Sequence, residues 1–393
     1  MKKLPLFTII FIELLNSTCA FDNRSGEVKD INPETDKVRY LQIPQNGEKK
    51  LNTSLFADTV VYLPLETKSE SLIGSINQLW INDSLIVINS YQSGLLLFQK
   101  NGRFIKKIGK NGNGPGEYLE IFHFEVLHDT IYISSINRKG FLRYKLDGTF
   151  CGEIKLNYQP VYFSSTLDQK IACYLREEGK VVVYNNDFST SDTIIVEYGV
   201  TIGRYRYTQM DKPYLQKTNF GLLFNSYLND TIWNINNSKK EPAFILDLKD
   251  KLPYDKQIEF SQGDFQKWDE LVNNFRFVHL LPFSDCTFIF QSRWTIKRQD
   301  YDAIYFADNR AGKVRKFDSS SIYDDMVGGQ ELKVFYPGYS ENCLLSSIKP
   351  EVITEHLSRS KKESSDAWSN QMKTIKEEDN PILVLINIKK SLP

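Results

Sequence analysis

The amino-acid sequence predicts an all-β protein: a six-bladed β-propeller of four-stranded antiparallel blades, with short helical insertions near 265–277 and 350–376. Three observations lead there. First, one pattern repeats with a constant shift, so that Asp83 corresponds to Asp129 and every later landmark keeps step. Second, aromatic residues make up 13% of the chain, with 25 Phe, 21 Tyr and 5 Trp, and such rings favour pleated, half-buried surfaces. Third, apolar runs near the two ends, 59–65 and 382–388, are suited to completing one sheet between them. Closing a ring in this way removes an exposed strand edge.

The elements follow in chain order. Lys2 and Lys3 precede an apolar run, Leu4 to Leu15, and then Asn16-Ser17-Thr18-Cys19-Ala20. This is the layout of an export signal over 1–19. The apolar run is too short to span a bilayer. Cleavage before Cys19 exposes that cysteine for lipidation, cleavage after Ala20 releases a soluble protein, and a retained anchor is the third outcome. Residues 20–52 are polar, contain Pro33 and Pro44, and read as a flexible tether. The propeller is expected over 53–393.

The repeat explains itself in local terms. Asp83-Ser84 and Asp129-Thr130 favour turns through side-chain bonds to the backbone. The apolar runs after them, 85–88 and 131–133, read as inner strands. Asn101-Gly102 and Asp147-Gly148 mark tight hairpins. Phe98 corresponds to Tyr144 and Phe104 to Phe150, rings expected to wedge between neighbouring sheets. Looser copies continue through 170–174, 181–184, 192–196, 221–224, 229–235 and 302–317. A unit of about 45 residues in four strands is a propeller blade, and the length from Asp58 to Lys389 holds about six. The text from Phe265 to Phe277 has helical spacing, and Pro350 opens a second helical stretch.

Composition excludes several classes. Lys+Arg and Asp+Glu are both 49, so no basic excess points to nucleic acid. Mean hydropathy is −0.38, against a multi-span membrane protein. Cys151, Cys173, Cys286 and Cys343 form no CxxC pair and read as small buried hydrophobes.

The segment Phe104 to Tyr118, FIKKIGKNGNGPGEY, together with Val61 to Glu66, Asn229 to Trp233 and Asp379 to Leu385, resembles a bacterial six-bladed β-propeller family related to NHL-repeat and TolB-like propellers. The resemblance covers nearly the whole chain after the export signal. It implies an exported protein, often a lipoprotein, with no established reaction.

Several residues are candidates for chemistry. Gly112, Gly114, Pro115, Gly116, Glu117 and Tyr118 do not have the spacing of a phosphate loop. They read as an inter-blade turn. His123, Glu125 and His128 spell HxExxH, not the zinc motif HExxH; on a strand 123 and 125 share a face and 128 does not. Glu177-Glu178, Asp324-Asp325 and Glu377-Glu378-Asp379 read as solvated turns. Neither a metal nor a cofactor is expected. The ligand-binding candidates are Arg204, Tyr205, Arg206 and Tyr207, with Arg293 and Trp294, where rigid rings stand beside planar cations. Such pairs stack on sugars or hold anions. The expected function is an exported, non-catalytic binding module taking a glycan, peptide or protein at one mouth, with no nucleic-acid partner and a membrane link only through Cys19. The alternative is a propeller enzyme (lactonase, lyase or glycan-active) with a carboxylate or calcium site in the channel, signalled by several converging carboxylates.

Overall fold

The computed structural model describes residues 25–30, 38–175, 178–196, 215–218, 221–225, 231–236, 239–247, 276–283, 285–293, 301–309, 311–333, 342–359 and 367–389. The molecule is an all-β propeller of small antiparallel sheets with few helices. Five four-stranded meanders follow one another. The first runs through Ile76–Ile81, Leu85–Ser90, Gly94–Gln99 and Phe104–Ile108. The second runs through Ile121–Leu127, Thr130–Ser135, Gly140–Lys145 and Phe150–Lys155, and the third through Tyr162–Ser165, Ile171–Leu175, Lys180–Tyr184 and Thr190–Ile195. The fourth consists of Leu215–Thr218, Gly221–Asn225, Thr231–Asn236 and Lys239–Asp247; the fifth of Arg276–Pro282, Cys286–Arg293, Tyr301–Asp308 and Lys313–Phe317. A closing sheet orders Cys343–Ile348, Ile382–Ile388 and Ala57–Pro64, pairing the late strand with the early one as expected.

The turns show why the repeat has its spacing. In the first and second meanders the third hairpin is Asn101-Gly102 or Asp147-Gly148, with Gly φ of +87° and +83°. The Asn101 and Asp147 side chains accept from the amides of Arg103 (3.1 Å) and Thr149 (2.8 Å). Each turn is followed by a one-residue register shift, the bulge that accompanies a residue in the left-handed region. The third meander reuses the device: Asp187 accepts from Ser189 (2.9 Å), and Phe188 takes the glycine's place at φ +62°. His128 and Asp129 both have positive φ, +47° and +56°, making a two-residue hairpin between Leu127 and Thr130.

Apolar packing joins the meanders into a ring. Val87, Leu97 and Ile108 of the first meet Phe124, Ile133 and Tyr144 of the second. Phe141 of the second meets Phe163, Cys173 and Val182 of the third. Tyr174 and Val183 meet Leu222 and Phe224 of the fourth, while Leu223 and Phe244 meet Leu280, Ile289 and Tyr305 of the fifth. Phe288, Phe290 and Phe306 meet Val384 and Ile386 of the closing sheet, whose other face, with Leu383 and Leu385, meets Ile88 and Phe98 of the first. Adjacent residues on one strand thus serve opposite seams, the period-two geometry of a strand buried on both faces. The wedge rings occupy equivalent places: Phe98 and Phe104 lie 5.4 Å apart, Tyr144 and Phe150 5.3 Å. Phe98 and Tyr144 are buried, whereas Phe150 keeps 37% exposure.

Three differences from the sequence reading stand out. The described residues form seven hydrogen-bonded sheets rather than six. One has ten strands, because Arg39–Gln42 and Ser25–Asp30 bridge the fourth meander to the fifth. Small sheets at 110–118 and around Ile322–Tyr323 add to the count. Secondly, parts of the segment 20–52, read as a flexible tether, are strands paired over long sequence distances. Polar composition carries no trace of such partners. Thirdly, Arg276 opens a strand where the helical stretch 265–277 is expected; residues 265–275 lie outside the described residues. The other insertion holds two helices, Pro350–Arg359 and Ala367–Met372, within the expected 350–376.

Candidate functional site

The first strands of successive meanders, Ile76–Ile81, Ile121–Leu127, Tyr162–Ser165 and Leu215–Thr218, pack directly beside one another. They are therefore innermost and border the axis. Each has one backbone edge paired to its own meander and one edge facing inward. An open inner edge inside a protein needs partners, and side chains provide them. The Gln78 amide donates to the Phe124 carbonyl (2.6 Å) and accepts from the Phe124 amide (2.9 Å). Asn89 donates to the Ile121 carbonyl (3.4 Å). One meander later, Glu125 accepts at Oε1 from the Ser165 amide (3.3 Å) and hydroxyl (2.8 Å).

Glu125 is the unusual member, because it is ionisable where Gln78 is not. Its carboxyl is pushed up, first by burial; Ser165, Ser164 and the Lys217 charge pull the other way. His123 shares its face: Nε2 lies 3.9 Å from Glu125 Oε2, and the ring meets Phe163 edge-on at 4.9 Å. Burial pushes the His123 imidazole down to about 4, opposed by a hydrogen bond with the Phe163 backbone, so at neutral pH it is uncharged. Both side chains keep a sixth or so of their surface open, 18% and 16%. The pair is strongly desolvated while a small part of each side chain stays open to water. Three consecutive innermost strands thus bring together an imidazole, a carboxyl, two serines and Lys217. The arrangement offers donors and acceptors of both polarities at the axis, the equipment for holding a polar ligand. The sequence held a signal for it: His123 and Glu125 interrupt the apolar residues Phe122, Phe124 and Val126.

His128 is exposed in its hairpin turn, away from that pair, as strand alternation requires. His279 is buried on the fifth meander's first strand, and the His356 ring meets Trp368 edge-on. Among the described residues no group of three or more His, Cys, Asp or Glu is placed to hold a metal ion.

The glycine-rich segment joins the first two meanders and uses its polar groups on the fold. The Glu117 carboxylate accepts from the Gly114 amide (2.8 Å), and a Cβ on Gly112 or Gly114 would run into it. Gly116 has φ +69°, which suits glycine. Pro115 stands between them. The Tyr118 hydroxyl donates to the Ile108 carbonyl and accepts from the Leu95 amide (3.1 Å); burial pushes its phenol up. Tyr144 donates to the Gly116 carbonyl. Arg138 donates to the carbonyls of Asn113 (2.9 Å), Gly114 (2.6 Å) and Glu117 (3.0 Å).

Arg204, Tyr205, Arg206, Tyr207 and Trp294 lie outside the described residues, as does Cys19. Arg293 ends the fifth meander's second strand, paired with Arg276. The expectation of a solvated turn at Asp324-Asp325 is corrected at Asp324, whereas Asp325 is exposed. Asp324 is fully buried and accepts from the Tyr62 hydroxyl (2.8 Å), the Thr53 hydroxyl (3.2 Å) and the amides of Met326, Val327 and Gly328. Asp325 accepts from Ser54 at both amide (2.9 Å) and hydroxyl (2.6 Å). Tyr62, Thr53 and Ser54 lie 262 to 271 residues earlier in the chain, so no local reading reaches them. No helix among the described residues is long and apolar enough to cross a membrane. Cys151, Cys173, Cys286 and Cys343 are free thiols; all but Cys151 are buried.

The chain belongs to the family described as "Domain of unknown function (DUF4934)", whose pattern matches residues 40–387. Its fold is similar to that of a protein of Bacteroides fragilis described as exported, with a TM-score of 0.69 and 18% identity, covering 89% of this chain and 99% of that one. A weaker likeness links it to a DUF4221 member of Bacteroides vulgatus (TM-score 0.45, 11% identity, 85% and 97% covered). Another links it to virginiamycin B lyase of Staphylococcus aureus (TM-score 0.43, 8% identity, 84% and 99% covered). No protein of curated function matches it.

Proposed function

We propose that this DUF4934 member is an exported, non-catalytic propeller that binds a polar ligand (a glycan, a peptide or a segment of a protein partner) at the axis beside His123 and Glu125. The observation that carries this reading is the enclosed ionisable pair on the innermost strands. The desolvation that raises Glu125 and lowers His123 is a cost to the fold, and groups perturbed in this way cluster at functional sites. Glu125 is the single acidic residue on the first strands of the five meanders, which favours binding over a carboxylate-lined calcium or acid–base centre. In this reading the blades are six, supported by five meanders, one closing sheet and six apolar seams. Kinship with NHL-repeat and TolB-like propellers belongs to the same proposal. The rings and guanidinium groups at Arg204–Tyr207 and Arg293-Trp294 add contacts at one mouth. Export rests on the charged and apolar leader, and the anchor on lipidation of Cys19.

The test is glycan- and peptide-array binding with the full chain, followed by titration of every hit against Glu125→Gln and Arg204→Ala/Arg206→Ala variants. The expected result is a micromolar ligand whose affinity drops about tenfold in the Glu125 variant, equivalent to about 1.4 kcal/mol. Absence of any micromolar ligand, or one indifferent to all of these substitutions, would overturn the reading. Radiolabelled palmitate incorporation lost in Cys19→Ala checks the anchor.

A further inference from the structure

We infer that residues 39–52 form a belt that locks the ring along its rim, between the fourth and fifth meanders. The belt is built from three successive attachments. Arg39–Gln42 runs parallel to Phe244, Ile245, Leu246 and Asp247 on the fourth meander's outermost strand. Leu41 is fully buried there and Ile43 nearly so, in the apolar seam that also holds Phe244, Leu280 and Val314. The chain then crosses to the fifth meander. Its outermost strand is held from both backbone directions: the Glu48 amide donates to the Lys316 carbonyl and the Asp318 amide donates to the Glu48 carbonyl, each at 2.8 Å. The Glu48 carboxylate accepts both nitrogens of the Arg315 fork, at 2.8 and 2.7 Å, and Lys316 Nζ donates to the Gln45 carbonyl (3.0 Å). Finally Leu51-Asn52 runs parallel to Ile322-Tyr323, with Leu51 fully buried, before the chain enters the closing sheet.

The physical reason is edge protection. The last strand of a meander ends a sheet with a row of unpaired backbone groups, a template for unwanted pairing. Arg39–Gln42 covers the fourth meander's edge and Glu48 the end of the fifth meander's last strand, while Ser25–Asp30, paired with Arg39–Leu41 on one side and Lys313–Arg315 on the other, completes one continuous sheet of two meanders. The belt also ties the early chain to strands that follow it by roughly 200 to 270 residues, a second clasp beside the closing sheet. The belt stands apart from the ligand proposal, and either can fail without the other.

Native limited trypsin digestion of the full chain tests it, with the cut sites read by mass spectrometry. Relative to the urea-unfolded chain, the bonds after Arg39, Lys49 and Lys50 are expected to be cut at least 100-fold more slowly. Rates within threefold of the unfolded chain would overturn the belt. Hydrogen exchange supplies a second measurement. In Leu41→Asp, amides at 244–247 and 313–317 are expected to exchange at least tenfold faster while those at 85–99 do not change; equal rates in variant and parent at 244–247 would also overturn it. Should Leu41→Asp fail to fold, digestion of the unmodified chain decides alone.

Discussion

Replacing Asp324 with alanine separates two accounts of the same residue. A solvated turn aspartate contributes within about 0.5 kcal/mol when removed. The structure gives a different figure. Five donors converge on this fully buried carboxylate: the hydroxyls of Tyr62 (2.8 Å) and Thr53 (3.2 Å), and the amides of Met326 (3.0 Å), Val327 (3.2 Å) and Gly328 (2.6 Å). Thr53 keeps Asp325 as an alternative acceptor at 3.0 Å, so its loss is small. The other four lose a charged acceptor; the Tyr62 hydroxyl and the Gly328 amide belong to buried residues, where a stranded donor costs about 1–3 kcal/mol, while the amides of the exposed Met326 and Val327 turn to water at smaller cost. Local relaxation lowers the sum, giving an expected loss of about 4 kcal/mol. At about 2.1 cal/mol/K of unfolding entropy per residue, this lowers Tm by about 5 °C. Asp324→Asn keeps one acceptor oxygen and loses about half as much. Urea unfolding followed by fluorescence measures both, with an unchanged m-value as the control for a common unfolded state. Coupling to Tyr62→Phe in a double-mutant cycle is expected at about 1 kcal/mol or more. An Asp324→Ala midpoint equivalent to less than 0.5 kcal/mol would refute the reasoning.

Acid stability follows from the axial pair. His123 binds its proton near pH 4 in the fold against 6.5 in the unfolded chain. Over that window the unfolded state holds the extra proton, so stability falls as pH drops, by up to about 3 kcal/mol. Glu125 is raised and carries the opposite slope, its favourable contribution fading as pH rises above the ordinary carboxyl value of 4.5. Urea midpoints between pH 7 and 4 are therefore expected to flatten in His123→Gln and steepen in Glu125→Gln; parallel curves for all three proteins would contradict this. Tyr118→Phe strands the Ile108 carbonyl and Leu95 amide, both on fully buried residues, and is expected to cost about 2 kcal/mol by urea unfolding. Gly102→Ala puts a side chain at φ +87° and against the Pro64 carbonyl oxygen, an expected cost of about 2 kcal/mol. Faster exchange of the Glu66 amide, bonded to the Gly102 carbonyl at 2.9 Å, should accompany it; unaltered stability and exchange would show that the turn relaxes freely.

Much of the fold was legible because its causes are local. Asp-Thr, Asn-Gly and Asp-Gly specify turns through side-chain bonds two residues away, and the strands between them follow from apolar runs. The helices at Pro350–Arg359 and Ala367–Met372 were legible for the same reason. The axial pair was half legible. His123 and Glu125 were placed on one strand face, and what makes them unusual is supplied by Ser165, Phe163 and Lys217 on other strands. The reading at 265–277 shows the limit, since helical spacing did not stop Arg276 and Phe277 from joining a strand opposite Arg293 and Ser292.

The sequence by itself determined the propeller: turn chemistry and strand periodicity act over a few residues, and a shared pattern at 83–104 and 129–150 repeats them. Only the tertiary structure decided that Asp324 is buried, that Arg39–Gln42 and Leu51-Asn52 are paired strands rather than tether, and that Glu125 bonds Ser165 across two innermost strands. Each depends on partners from 40 to about 270 residues away. Burial and edge pairing are properties of those partners' positions, and no local composition records them.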